Sequence, residues 1–257
     1  MKKILALVLV LAMVVCVFAA CSKKEEAETG LNTVEKGKLI MATNAAFPPY
    51  EYYDGDKIVG IDAEIAQAVA DKLGLELVIK DVEFDSIITE VSTGKADFGL
   101  AGMTITEKRL EEVDFSISYA KGVQAIIVKE GSAITTVDDL YTEGATYKIG
   151  VQQGTTGDIY ASDDFGTDRV VKYPKGADAV EALKSDKIDC IIIDDQPAQA
   201  FVAENEGLTI LETSYADEDY AACFKKGNQE LQDAVNKAID ELIKDGTIDK
   251  IVAKYIK

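Results

Sequence analysis

A guanidinium, two adjacent carboxylates, several hydroxyls and a cluster of aromatic rings are the groups in this chain best suited to do chemistry, and most of them follow a short apolar run. Arg109 ends the stretch AGMTITEKR, whose Ala101 and Gly102 close an apolar segment beginning at Phe98. Thr106 reads as an N-cap, which puts Lys108 and Arg109 in the first turn of a helix, where the dipole disfavours cations. A cation kept there is either solvated surface or the holder of an anion. Asp194 and Asp195 follow the run CIII, Gln152, Thr155 and Thr156 follow YKIGV, and Asn44 and Phe47 follow KLIMA. In open α/β sheets ligands bind beyond the carboxyl ends of strands, where all of these residues fall. Arg binds a carboxylate at two points and Asp accepts from an ammonium, so a cleft holding both suits a zwitterion. Gly102 and Gly154 would let backbone approach closely.

The elements that position these groups alternate. Strands are expected over 38–42, 75–79 and 98–101, with helices over 61–73 (stopped by Gly74) and from Ser86 as cap to Gly94. A second series has strands over 123–128, 147–151, 188–193 and 220–224. Its helices fall over 137–140, 177–183, 196–205 with Pro197 in the first turn, and 229–244. Asp54-Gly55 reads as a hairpin turn. The βαβα order predicts an α/β fold with parallel sheet flanked by helices.

Composition excludes several chemistries. No residue is His, so Ser-His-Asp and Cys-His catalysis are absent. No CxxC or other metal-ligand spacing occurs, and neither metal nor cofactor is expected. Lys and Arg number 27 against 46 Asp and Glu, a formal charge of −19 that repels nucleic acid and anionic headgroups. Met1-Lys2-Lys3 opens a leader whose apolar run spans residues 4–18, short of the ~20 residues that cross a membrane. Ala19-Ala20 then precede Cys21, which reads as a lipoprotein signal peptide over 1–20 with a lipidated Cys21. The alternative is an ordinary signal peptide with a chance Cys, and Phe18 departs from the Leu usual at its position. The mature protein is thus exported, anchored to the outer face of the cytoplasmic membrane or periplasmic, with a flexible polar stalk over 22–36. Cys190 and Cys223 read as buried free thiols, with a disulfide left open.

GIDAEIAQAVADKLG (60–74), NAAFPPYEY, AGMTITEKR, VQQGTTGD and IIDDQPAQA resemble, in order and spacing, segments of the family 3 extracellular solute-binding proteins of ABC importers. The resemblance covers residues 37–257. It implies the type II periplasmic-binding-protein fold: two lobes, each a mostly parallel sheet flanked by helices, with two crossing strands as hinge. Lobe 1 would comprise 37–120 plus 220–257, and lobe 2 124–216. It further implies no enzyme, but a monomeric protein that captures a polar amino acid and passes it to ABC permease transmembrane subunits by clamshell closure.

Carried over by position, Arg109 grips the ligand carboxylate, assisted by backbone of Thr104 and Thr156. Asp195 receives the ammonium together with Gly102 and Thr104, and Phe47 and Phe84 sandwich the side chain. Asn44, Gln152 and Asp194 face its end, and Thr155 and Ala101 complete the lining. Asn44 stands where an acid is common, which argues against a cation-selective pocket, and Asp194 partly restores one. The three suit an amide or a cationic side chain, and with no Lys or His among them an acidic ligand is less favoured. Bland readings stand beside these: Asp195 and Thr155-Thr156 as helix caps, Phe47 and Phe84 as core. Two rival functions use the same scaffold. One is a cyclohexadienyl dehydratase-like enzyme with Asp194 as general acid, and the other is a sensory amino acid-binding lipoprotein.

Overall fold

The computed structural model describes residues 30–256. The leader, Cys16, Cys21 and the first part of the expected stalk lie outside the described residues. Residues 30–36, expected as stalk, are instead tied to the body. Leu31 packs on the core, and the Val34 N–H donates to Asp97 Oδ1 at 2.6 Å.

Apolar runs with alternating inward faces build the first sheet. In β1 (Lys38–Thr43), Leu39 and Met41 enter one buried cluster while Ile40 and Ala42 enter another on the opposite face. The chain then forms a small antiparallel sheet of β2 (Ala46–Phe47), β3 (Glu51–Asp54) and β4 (Lys57–Val59), with the expected turn at Asp54-Gly55. The helix α1 (Ile61–Leu73) buries Ile61, Ile65 and Val69 and ends at Gly74 in the left-handed conformation, as its periodicity predicts. After β5 (Glu76–Asp81), a 3-10 turn (Phe84–Ser86) leads into α2 (Ile87–Ser92), and Ser86 makes no side-chain cap bond. Next come β6 (Phe98–Gly99), α3 (Glu107–Leu110) and β7 (Val113–Phe115).

The second sheet is organised on β8 (Ala120–Lys129), which is followed by α4 (Asp138–Tyr141), β9 (Ile149–Gln152), α5 (Thr156–Phe165), β10 (Val170–Tyr173) and α6 (Gly176–Lys184). In β11 (Cys190–Asp194), Ile191 and Ile193 face one cluster and Cys190 and Ile192 the other. Then follow α7 (Asp195–Glu204), β12 (Leu208–Ile210), β13 (Ala216–Tyr220), β14 (Cys223–Lys225), α8 (Gln229–Lys244) and α9 (Thr247–Tyr255).

The fold is α/β and two-lobed, and each sheet is mostly parallel, as expected, with a single antiparallel strand that makes it mixed. In the first, ordered β5-β1-β6-β14-β7, the strands β5, β1, β6 and β7 point one way, and β14 between the last two is antiparallel to both of its neighbours. In the second, ordered β10-β9-β11-β8-β12, β8 is antiparallel to β11, β12 and β13. The run 220–224, expected as one strand, is divided between sheets. Tyr220 pairs with Ala120 in the second, and Cys223 with Gly99 and Phe115 in the first. The paired β8 and β13 therefore carry the chain into and out of the second sheet. Cys190 and Cys223 are buried free thiols.

Asp97 ties the N-terminal segment to the first sheet: Ile40 N–H donates to Oδ2 and Val34 N–H to Oδ1, each at 2.6 Å. Asp97→Ala leaves both N–H groups without this acceptor, and a loss of about 3 kcal/mol is expected in urea unfolding. A loss within experimental error would show that the segment contributes nothing to the folded body.

Candidate functional site

Arg109 and Lys108 are neighbours with opposite fates. Thr106 caps α3 as expected, accepting from the Arg109 N–H at 3.2 Å, but α3 is a single turn of four residues. Such a turn has little dipole, so the cost to explain is burial: Lys108 is exposed, whereas Arg109 is 5 % exposed. Its Nη1 donates to the Thr104 carbonyl at 2.6 Å and its Nη2 to the Gly154 carbonyl at 3.1 Å. The guanidinium carbon sits 5.5 Å from the centre of the Phe84 ring. Among the described residues it makes no salt bridge. Burial lowers its pKa, and the charges of Glu218 and Asp194 offset part of that shift. A buried guanidinium held only by carbonyls and a ring keeps N–H donors and a charge that an anion could satisfy.

The carboxylates that couple to Arg109 form a second group. Asp194, at the end of β11, is 4 % exposed. Gln124 of β8 donates through Nε2 to Asp194 Oδ2 at 2.8 Å, to Glu218 Oε2 at 3.0 Å and, more distantly, to Thr156 Oγ1 at 3.4 Å. The Tyr220 hydroxyl donates to Asp194 Oδ1. Burial first, and then the charge of Glu218, push the Asp194 carboxyl well above its usual range. Asp195 differs: it is half-buried, begins α7 and accepts from Gln196 Nε2 at 2.9 Å.

The remaining residues line the seam between the lobes. Gln152 Nε2 donates to Asn44 Oδ1 at 2.9 Å, and Asn44 Nδ2 donates to the Val82 carbonyl at 2.8 Å. Gln152 Oε1 is buried and has no partner. Gln153 Nε2 reaches Asp85 Oδ2 at 2.6 Å. Thr155 is occupied as a cap: its hydroxyl accepts from Asp158 N–H at 3.3 Å and donates to the Gln152 carbonyl at 2.8 Å. Phe47 stacks on Tyr50 with ring centres 5.9 Å apart and lies against Gly102, while Phe84 lies beside Arg109. The two rings thus belong to separate packing groups. Ala101, Gly102 and Thr104 are buried in the loop behind Arg109. A cavity of about 610 Å³ opens between the lobes beside Arg109, lined by Phe84, Gly154, Asp158, Ser162 and Lys172 among others; Asp194, Gln124 and Glu218 are not in its lining.

Four residues of this constellation went unmarked in the sequence: Gln124, Glu218, Tyr50 and Tyr220. Glu218 sits in ADEDY, where three acids in a row read as solvated charge. Strand alternation was the available signal, since it puts Glu218 and Tyr220 on one face and Asp217 and Asp219 on the other.

Residues 39–257 match the model of the bacterial extracellular solute-binding proteins, family 3. The arginine-binding extracellular protein ArtP of Bacillus subtilis (strain 168) is 35% identical over 261 residues, covering 99% of this chain and 98% of its own. The L-cystine-binding protein TcyJ of Escherichia coli (strain K12) is 31% identical over 250 residues, covering 95% of this chain and 92% of its own. Among solved structures, an ancestral arginine-binding protein bound to arginine superimposes with a TM-score of 0.80 at 39% identity. It covers 86% of this chain and 99% of its own.

Behind Gly102 lies a second acid pair. Asp62, the first acid of GIDAEIA, accepts from Gly102 N–H at 2.7 Å and from the Tyr119 hydroxyl at 2.8 Å, which fixes the loop that carries Thr104. Burial raises Asp62 to about 6, against the pull of those two donors. Glu51 is fully buried against it, raised well above 4.5 by burial and then by the Asp62 charge. A carboxyl raised on folding stabilises the fold below its unfolded value and loses that contribution as pH rises. Glu51→Gln stays neutral at every pH, so its melting temperature relative to wild type is expected to climb steadily from about pH 5 to about pH 8. A pH-independent difference would show that Glu51 does not titrate differently on folding.

Proposed function

The chain belongs to the bacterial extracellular solute-binding proteins of family 3, and we propose that it captures an amino acid with a cationic or amide side chain for an ABC importer. The observation that carries this reading is Arg109: a buried guanidinium without a carboxylate partner among the described residues, in the field of buried Glu218 and Asp194. A carboxylate and an ammonium on one small molecule satisfy both groups at once.

In this reading lobe 1 (37–120 with 220–257) receives the ligand carboxylate at Arg109 and Thr104. Lobe 2 (124–216) adds Thr156 and the acid only as the lobes approach, so ligand shifts the open–closed equilibrium by its differential affinity. The ammonium acceptor is Asp194 rather than Asp195, because Asp194 is buried and coupled to Arg109 while Asp195 is half-buried and paired with Gln196. Phe47 and Phe84 flank the side chain. Its far end meets Asn44 and Gln152, and the unpartnered Gln152 Oε1 favours a donor-rich end such as a guanidinium, ammonium or amide. Relatives named for arginine, cystine and glutamine support an amino acid, and arginine is the first candidate. Those relatives are binding proteins, which supports capture over dehydration at Asp194. Export as a monomer anchored through a lipidated Cys21 rests on the sequence.

A thermal-shift screen of the amino acids, with cystine and ornithine, is expected to raise the melting temperature most with arginine, lysine or glutamine. A panel without any shift would sink the reading. In calorimetry Arg109→Ala is expected to weaken binding at least about a hundredfold and Lys108→Ala to leave it unchanged. Asp194→Asn is expected to cost more affinity than Asp195→Asn. The reverse order would return the ammonium to Asp195.

A further inference from the structure

An α-ammonium needs one carboxylate, yet two share the group beside Arg109, and Glu218 is the one that no motif assigns. It stands on β13, opposite Gly122 of β8, on one of the strands that connect the lobes. It is 4 % exposed. Gln124 bridges it to Asp194, donating from one Nε2 to Glu218 Oε2 at 3.0 Å and to Asp194 Oδ2 at 2.8 Å. Glu218 Oε1 is buried and has no hydrogen-bond partner. Asp194 is the less needy of the two, since Gln124 and Tyr220 supply a donor to each of its oxygens.

An unpartnered carboxylate oxygen in a buried group is expensive unless a donor reaches it. The donor that fits beside two carboxylates is a cation with several N–H groups, which an ammonium supplies. Resting on the amino acid reading above, we propose that Glu218 is a second anionic contact for the ligand ammonium, and that Glu218 and Asp194 together oppose lobe closure over a molecule lacking a cation there. Both acids flank β8 in the second sheet, so closure leaves their separation fixed and acts by removing the water that screens their repulsion, which an ammonium beside them turns into attraction.

A proton on the pair relieves the same repulsion in the absence of that ammonium, and this gives the pair a pH signature. The charged or titratable groups facing it are Arg109, Glu51 and the hydroxyls of Tyr50, Tyr160 and Tyr220. With the lobes together, burial and the Glu218 charge hold the Asp194 carboxyl well above its usual range. The closed form therefore binds more protons than an open, solvated one. Closure of the ligand-free protein is favoured at low pH and lost as pH rises.

Two arms test the proposal on full-length protein. Calorimetry would compare wild type and Glu218→Gln with L-arginine and with its α-deamino analogue, which keeps the carboxylate and guanidinium. Glu218→Gln is expected to weaken L-arginine by about tenfold or more and to leave the analogue unchanged or tighter. Equal losses for both would mark Glu218 as merely structural and overturn the proposal. In the second arm, small-angle scattering of ligand-free protein would follow compaction between about pH 5.5 and about pH 8. Wild type is expected to open as pH rises and Glu218→Gln to stay compact, whereas superimposable profiles would overturn the proposal. If wild type binds no amino acid at all, the proposed function fails, and the ligand-free arm still decides the role of Glu218.

Discussion

A positive charge held in the interior without a negative partner is the constraint on which the rest of the site depends. Arg109 has five N–H donors in a fixed plane, and the carbonyls of Thr104 and Gly154 take one each from Nη1 and Nη2. Those carbonyls belong to different sheets' loops, so the guanidinium is also a bond between the lobes. In the proposed reading its isolation from carboxylates keeps it available, because a salt bridge with Asp194 or Glu218 would neutralise both halves of the ligand site. Gln124 and Tyr220 enforce that separation by occupying the acids with neutral donors.

The acids form two tiers. Asp194 and Glu218 lie at the seam, and Asp62 and Glu51 lie one layer further in, where Asp62 holds Gly102 and Tyr119. The inner pair is structural, since it shapes the loop between β6 and α3 and leaves Arg109 a fixed platform. Aromatic rings join the tiers: Phe47 stacks on Tyr50, Tyr50 meets Tyr220 edge-on at 5.3 Å, and Tyr220 ends on Asp194. None of this follows from the overall charge of −19, which sums buried and exposed groups alike.

Much of the frame was legible because burial on both faces leaves a plain mark. KLIMAT and CIIID are apolar at nearly every position, and α1 repeats its apolar residues at helical spacing up to Gly74. Strand direction leaves no such mark. The one antiparallel strand of the first sheet, β14, is only three residues long, and the break after Tyr220 lies inside a run that reads as a single strand. In the site, Arg109 was legible through its motif, although the dipole cost that drew notice to it disappears in a one-turn helix. Asp194 and Asp195 are indistinguishable as letters. Only the strand's end, which turns one carboxylate inward and leaves the other at the helix start, separates them. Glu218 was hidden by its acidic neighbours Asp217 and Asp219, which face away from it.

Gly154 gives the meeting of the lobes a definite end. Its backbone is left-handed at φ +79, and a Cβ placed there would fall 2.8 Å from the Cβ of Asp85. The two main chains therefore come together at the rim with no side chain to cushion them, and Gln153 fastens the same corner onto Asp85. Such a contact behaves as a mechanical stop. Travel ends where backbone meets backbone, whatever cargo lies inside, so a membrane partner would meet one outline of the loaded protein rather than a range of shapes graded by ligand size.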